Sequence, residues 1–263
     1  MKGKSIYSWF GFIIPMYERF RLIKEAGFDS TCIWWGDEFI EIDGPKEEHP
    51  EFALKAGLDI INVHLPFIDA NDLWLDGIKG DSLLDKYMKN ITDCCNYGIP
   101  AAVVHLTIGW KPPEPCATGL DRIKRLTEHA EAKGVNIALE NLKRPEYVDY
   151  AFSAVTSERL GFCYDSGHEA VCGLKSGSLL EKHGGRLMVL HLHDNDGLTD
   201  RHMVPGEGIL DWKALKADIL KTEYTGPVLL EVTNEYSDLK GKETAEEFLR
   251  RAAVAADRIL DLE

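Results

Sequence analysis

The chain has 263 residues, 44% of them hydrophobic and 28% charged, which is enough apolar content for a full core and excludes a disordered or low-complexity protein. Its 30 Lys and Arg against 44 Asp and Glu leave a net charge of -14, which argues against a dominant phosphate-neutralising surface. No apolar run is long enough to cross a bilayer. The six cysteines (Cys32, Cys94, Cys95, Cys116, Cys163 and Cys172) form neither a Cys-x-x-Cys pair nor a regular framework, so a soluble protein of the reducing cytoplasm is expected. Ile6 to Tyr17, behind Lys2 and Lys4, loosely mimics a signal peptide. Pro15 interrupts it and Glu18-Arg19 follows without a small-residue cleavage site, so a buried first strand and turn is expected instead.

Short apolar runs rich in β-branched and aromatic residues alternate with longer segments of helical period. The predicted strands are Ser5–Phe10, Ser30–Trp35, Leu58–His64, Ala101–Leu106, Asn136–Glu140, Leu160–Asp165, Leu187–His191 and Val228–Glu231. Between them, Ser82–Tyr97 carries an apolar stripe of Leu83, Leu84, Tyr87, Met88, Ile91 and Cys94, with Ser82 and Asp85 read as a capping box. A last helix from Glu243 onward puts Phe248, Leu249, Ala252, Ala256, Ile259 and Leu260 on one face, and should close a ring against the helix after the first strand. Gly27, Gly57, Gly98, Gly134 and Gly226 stand where helices should end. Strands recur about once per strand–helix unit of roughly 30 residues. No linker divides residues 1–263, and no glycine-rich phosphate loop follows the first strand, as a doubly wound sheet would have. An α/β fold is expected, a single (β/α)8 TIM barrel in one domain.

Residues at the carboxyl ends of barrel strands converge on one mouth. These ends are rich in metal-ligand types: His64, His105, Glu140, Asp165 with His168 three residues on, His191 and Glu231, followed by Asp200 and His202 in the loop after the seventh strand. A lone histidine at a strand end is usually a hydrogen-bonded structural group. Five of the nine histidines at equivalent positions of successive units, with four carboxylates, point to metal binding. Mixed imidazole and carboxylate donors suit zinc, manganese or iron(II) over magnesium or calcium. The His193–Gly197 run has the wrong spacing for a calcium loop, and there is no His-Glu-x-x-His, Gly-x-Ser-x-Gly or Gly-Lys-Ser/Thr motif.

At these residues the chain resembles the xylose isomerase-like barrel superfamily, which contains sugar isomerases and epimerases and the endonuclease IV type of abasic-site nuclease. The resemblance covers nearly the whole chain and is carried by Val63-His64-Leu-Pro-Phe67, Val104-His105-Leu106, Leu139-Glu140-Asn141, Tyr164-Asp165-Ser-Gly-His168, His191-Leu-His193-Asp194, Asp200-Arg-His202, Pro205-Gly-Glu-Gly208 and Leu230-Glu231. The isomerase and epimerase branch implies one divalent metal on Glu140, Asp165, His191 and Glu231. Glu140 and Glu231 would then exchange a proton with the substrate carbon through an enediolate-like intermediate, and His168 would steady a substrate oxygen. The nuclease branch implies three zinc ions, with His64, His105, His168, Asp200 and His202 as further ligands. Both donor sets are complete, so one to three ions are expected, zinc or manganese first.

Loop composition favours the first branch. Pro66–Gly80 carries Asp69, Asp72 and Asp76 against Lys79 and would repel a phosphate backbone, and Phe67 and Ile68 read as an apolar lid rather than a wedge for a base stack. Where His193 stands, the nuclease branch typically has asparagine. Trp9, Trp34, Trp35, Trp74 and Trp110 lie near strand ends, where some could face a sugar ring and at least two should be core. The expected partner is a small sugar, sugar phosphate or polyol ketone, with no membrane, nucleic acid disfavoured, and a homo-oligomer compatible with the sequence.

Overall fold

Eight parallel strands alternate with eight principal helices along residues 1–262, the residues described by the computed structural model. The strands are β1 (Lys4–Tyr7), β2 (Ser30–Trp34), β3 (Asp59–His64), β4 (Ala101–Val104), β5 (Asn136–Glu140), β6 (Leu160–Asp165), β7 (Leu187–His191) and β8 (Val228–Leu230). The helices are α1 (Met16–Glu25), α2 (His49–Ala56), α3 (Ile78–Asn96), α4 (Ala117–Lys133), α5 (Glu146–Ala154), α6 (Ser178–His183), α7 (Trp212–Leu220) and α8 (Ala245–Asp261), with further short helical segments between them, among them the six-residue Ser166–Val171 that carries His168. Hydrogen bonding runs in the order β7-β6-β5-β4-β3-β2-β1-β8, all parallel. The ring closes one residue past β7, where Leu192 bridges Leu230 through Leu192 N to Leu229 O at 2.9 Å and Glu231 N to Leu192 O at 3.1 Å. This is the (β/α)8 barrel that the strand spacing implied.

The strands are buried on both faces, which is why they read as near-continuous apolar runs instead of alternating ones. Cys32, Val103, Ala138, Cys163, Val189 and Leu229 fill the barrel interior, while a larger core lies between the sheet and the helices. α8 packs its Phe248 against Phe10, with ring centroids 5.9 Å apart and planes at 10°, and it abuts α1 as the apolar stripe required. Its start is locked by a capping box, Glu247 N donating to Thr244 Oγ1 at 3.2 Å and Thr244 N to Glu247 Oε2 at 2.8 Å.

Two local expectations are corrected. α3 begins at Ile78 after Gly77, so Ser82 lies inside the helix and caps nothing. Gly80, which looks like a breaker, is a helical residue whose missing side chain makes room for Arg122, since a Cβ there would lie 2.2 Å from the guanidinium. Of the five glycines read as helix ends, Gly27, Gly57, Gly98 and Gly134 have positive φ, but Gly226 does not. Gly226 lies against Tyr224, where a Cβ would sit 2.3 Å from the phenol oxygen. Strand ends are also shorter than predicted, so His105 and Glu231 stand one residue beyond β4 and β8.

Phe248 is fully buried between sheet and helix. Replacing it with alanine should lower unfolding free energy by about 3–5 kcal/mol, measured by urea denaturation; a loss under about 1 kcal/mol would show that α8 does not hold the ring closed.

Candidate metal centre

All nine predicted donors converge on the carboxyl-terminal mouth of the barrel. Asp165 and His191 are fully buried, Glu140 is 1% exposed and Glu231 7%. One donor atom from each of these four lies within 4.8 Å of the others, and so do atoms of the triads His64, Glu140, His191 and His168, Asp200, His202. His105 joins the first triad, its Nε2 lying 3.1 Å from His64 Nε2 and 3.0 Å from Glu140 Oε2. His191 Nδ1 is 2.9 Å from Glu231 Oε2 and 3.4 Å from Glu140 Oε2. On the other flank, His168 Nε2 is 2.9 Å from Asp200 Oδ2, and His202 Nε2 is 3.4 Å from Asp200 Oδ1.

The backbone decides which ring nitrogen three of these histidines present. In His64, His168 and His202, Nδ1 lies 3.0, 3.0 and 2.8 Å from the carbonyls of Leu65, Asn141 and Glu231. A carbonyl only accepts, so Nδ1 donates and Nε2 is turned toward the neighbouring donors, the orientation by which outer contacts fix metal-binding imidazoles. Asn141 exchanges two 2.8 Å hydrogen bonds with the backbone of Asp165, anchoring the end of β6. His202 holds a φ of 46°, strained for a histidine, on a loop tied down by the Asp194–Met203 bridge.

Burial would raise the pKa of Glu231, but His191 outweighs it and brings it down to about 2. Glu140 is likewise held well below the usual carboxylate range because His105 and His191 outweigh its burial. Burial opposes a charge on His168, yet Asp165 and Asp200 raise its pKa well above the ordinary value. No hydrogen bond of good geometry satisfies Glu140 Oε1, Glu231 Oε2, Asp200 Oδ1 or either ring nitrogen of His191, although His191 Nδ1 and Glu231 Oε2 are in ion-pair contact. Clustered buried carboxylate oxygens and imidazole nitrogens without such bonds are costly, and a divalent cation is the partner their chemistry fits.

Above the donors lies a cavity of about 570 Å³. Glu140, Glu231, His64, His105, His168, Asp200 and His202 reach it, while Asp165 and His191 lie beneath. Phe67 stacks on His105, ring centroids 4.3 Å apart, and sets its face edge-on to Trp34, so it covers the donors as a lid would. Trp9 and Trp34 line the cavity, Trp35 and Trp74 are core, and Trp110 is half-exposed. Glu207 pairs with Arg251, outside the main cavity. Sequence reasoning did not place His193 in the site: its Nε2 lies 3.1 Å from Asp165 Oδ2 and its ring stacks on His202 at 4.1 Å. Its two-residue step from His191 was the available signal. Tyr7 and Arg19, which also line the cavity, carried no sequence signal.

A family model described as xylose isomerase-like TIM barrel matches residues 20–252. Uncharacterized protein y4fM of Sinorhizobium fredii is 36% identical over 249 residues, covering 80% of this chain and 78% of its own. Fructoselysine 3-epimerase of Escherichia coli O157:H7 is 32% identical over 124 residues, 44% of this chain and 45% of that one. Among solved structures, an IolI protein with a bound zinc atom superposes with a TM-score of 0.80 at 18% identity, covering 98% of each chain.

Titration of zinc or manganese into chelator-treated protein should show a high-affinity site that Asp165→Asn abolishes. His193→Ala, removing the neighbour of the Asp165 carboxylate, should weaken it roughly 10–100-fold. Wild-type affinity in both variants by calorimetry would refute this donor set.

Proposed function

Because the chain belongs to the xylose isomerase-like TIM barrel family, we propose that it is a divalent-metal-dependent isomerase or epimerase of a small sugar, sugar phosphate or polyol ketone, with residues 1–263 working as one domain. The observation that carries this reading is the pair of buried carboxylates Glu140 and Glu231, which reach the cavity floor and each keep one oxygen met by an imidazole ion-pair contact but by no well-formed hydrogen bond. Zinc or manganese suits the donors, and the zinc of the IolI structure supports the first. The fructoselysine 3-epimerase likeness supports the reaction class. The proposed compartment is the cytoplasm, which suits six cysteines without a pairing framework.

Glu140, Asp165, His191 and Glu231 would hold a divalent cation, which when bound would supply Lewis-acid polarisation of a carbonyl and so acidify a proton on the adjacent carbon. Glu140 and Glu231 then act on that carbon, one removing the proton to give an enediolate-like intermediate and the other returning it. The neighbouring imidazoles favour the ionised form of the carboxylate that takes the proton; the carboxyl that returns one must already carry it, so the pair works with one member ionised and the other protonated, and the two states exchange on each turnover. His168 carries its proton toward the cavity side beside Asp200, where it donates a hydrogen bond to a substrate oxygen. His193 keeps Asp165 in place beneath them.

A second reading follows from the two additional donor groups, His64 and His105 beside Glu140, and His168 with Asp200 and His202. With the central four residues they make the nine-residue set of a three-metal phosphodiesterase acting at abasic sites in DNA. Against it stand the acidic 66–80 loop and a cavity whose only Lys or Arg residues are Arg19 and Lys143. Elemental analysis of protein purified without chelator separates the two: about one metal ion per chain supports the isomerase or epimerase, and about three zinc ions with cleavage of abasic duplex DNA would replace it.

Glu140→Gln and Glu231→Gln should each lower turnover on a ketose panel by at least about 10²-fold, with circular dichroism unchanged. Solvent-deuterium incorporation beside the carbonyl reads the same step, and wild-type rates in either variant would overturn the assignment.

A further inference from the structure

The cavity changes character from floor to mouth. Its roughly 570 Å³ lies in the range of about 300–1,000 Å³ that encloses drug-sized ligands, and a free pentose or hexose would leave much of it filled only with water. The floor is carboxylate and imidazole. The upper wall is Trp9, Phe39, Ile68, Ile108 and Tyr236, of which Phe39, Ile68 and Tyr236 leave 48%, 69% and 53% of their surface to solvent. Large side chains so exposed at the mouth of a pocket lower the free energy when an apolar group covers them.

This wall is preset. The Trp9 and Phe39 rings lie parallel, 3° apart in plane and 5.9 Å between centroids, and the Arg19 guanidinium stands 5.3 Å from the Trp9 centroid. Arg19 is itself 2% exposed and held by Asp43 at 2.9 and 3.3 Å and by the Ile14 carbonyl at 2.9 Å. An aromatic face fixed before the ligand arrives costs little ordering entropy on binding. Arg19 therefore serves the wall and is already neutralised. Lys143 lies 5.8 Å over the Trp110 ring, while Glu38 and Glu235 add negative charge to the cavity lining. A phosphate or carboxylate on the substrate would meet this negative field.

We propose that the substrate is an unphosphorylated ketose bearing an apolar, ring-sized substituent, its sugar end over Glu140 and Glu231 and its substituent against Trp9 and Phe39. This deepens the isomerase or epimerase reading and rests on it. The test is calorimetric binding to metal-loaded protein of D-fructose, 1-O-benzyl-D-fructose, 6-O-benzyl-D-fructose and D-fructose 6-phosphate. One benzyl ether should bind on the order of tenfold tighter than fructose and the phosphate weaker than fructose, with Trp9→Ala and Phe39→Ala each erasing most of the ether's advantage. Fructose or its phosphate binding as tightly as both ethers would overturn the proposal. An ether preference that survives both substitutions would overturn it too, as would sedimentation showing that Trp9→Ala breaks a dimer seated on this wall without altering the preference. Solvent-deuterium exchange in the same samples keeps the two ideas apart. Exchange without an ether preference sinks the substituent subsite alone, an ether preference without exchange sinks the ketose chemistry alone, and binding of none of the four sinks both.

Discussion

Three carboxylates, Glu140, Asp165 and Glu231, are held side by side at the end of a barrel with almost no water to screen them, and the surrounding architecture answers their repulsion. His191 lies between two of them, His193 contacts the third, and His105 and His168 approach Glu140 from either flank. His64, His168 and His202 are in turn oriented by backbone carbonyls near strand ends, so part of the cluster's geometry is set by the path of the backbone itself. Such a cluster would be a poor way to stabilise a fold, because each group loses its hydration on burial. It makes physical sense as a place for a cation and for chemistry on carbon-bound protons.

The barrel separates tasks by depth. The side chains of the interior, small at Ala138 and Cys163, fill the barrel below the site, and the donor layer begins where the strands end. Above it, the loops after β1, β2, β3, β4 and β8 contribute to the cavity wall, and the one after β3 is tied down firmly. Arg122, buried within α4, donates to the carbonyls of Leu73 and Leu75 and to Asp81, while Trp74 Nε1 donates to the Leu106 carbonyl. Phe67 thus sits over His105 on a braced loop, and Gly80 exists so that the brace can approach.

The chain belongs to the xylose isomerase-like TIM barrel family, and its donors form a central group of four with a flanking group on either side, a layout compatible with one ion or with three. The donors by themselves therefore do not separate the two chemistries. The loops do so physically: an acidic lid and an aromatic wall suit a neutral ligand with apolar surface, and their charge opposes a polyanion.

Much of this was legible in the residues. Apolar runs buried on both faces, recurring once per strand–helix unit, are what a parallel barrel demands, and the polar residues that end those runs are Glu140, Asp165, His191 and Glu231. Helix ends were readable where glycine takes a positive φ, as at Gly134, and unreadable where glycine serves a close approach, as at Gly80 and Gly226. Local pattern alone determined the strand–helix order and the donor list, because periodicity and ligand type are properties of single segments. Tertiary structure alone decided which nitrogen His64, His168 and His202 present, that His193 supports Asp165, and that Trp9, Phe39 and Arg19 form one wall. Those relations join residues from separate units of the barrel, or hang on the local path of the backbone at strand ends, and no repeat along the chain encodes how its parts meet.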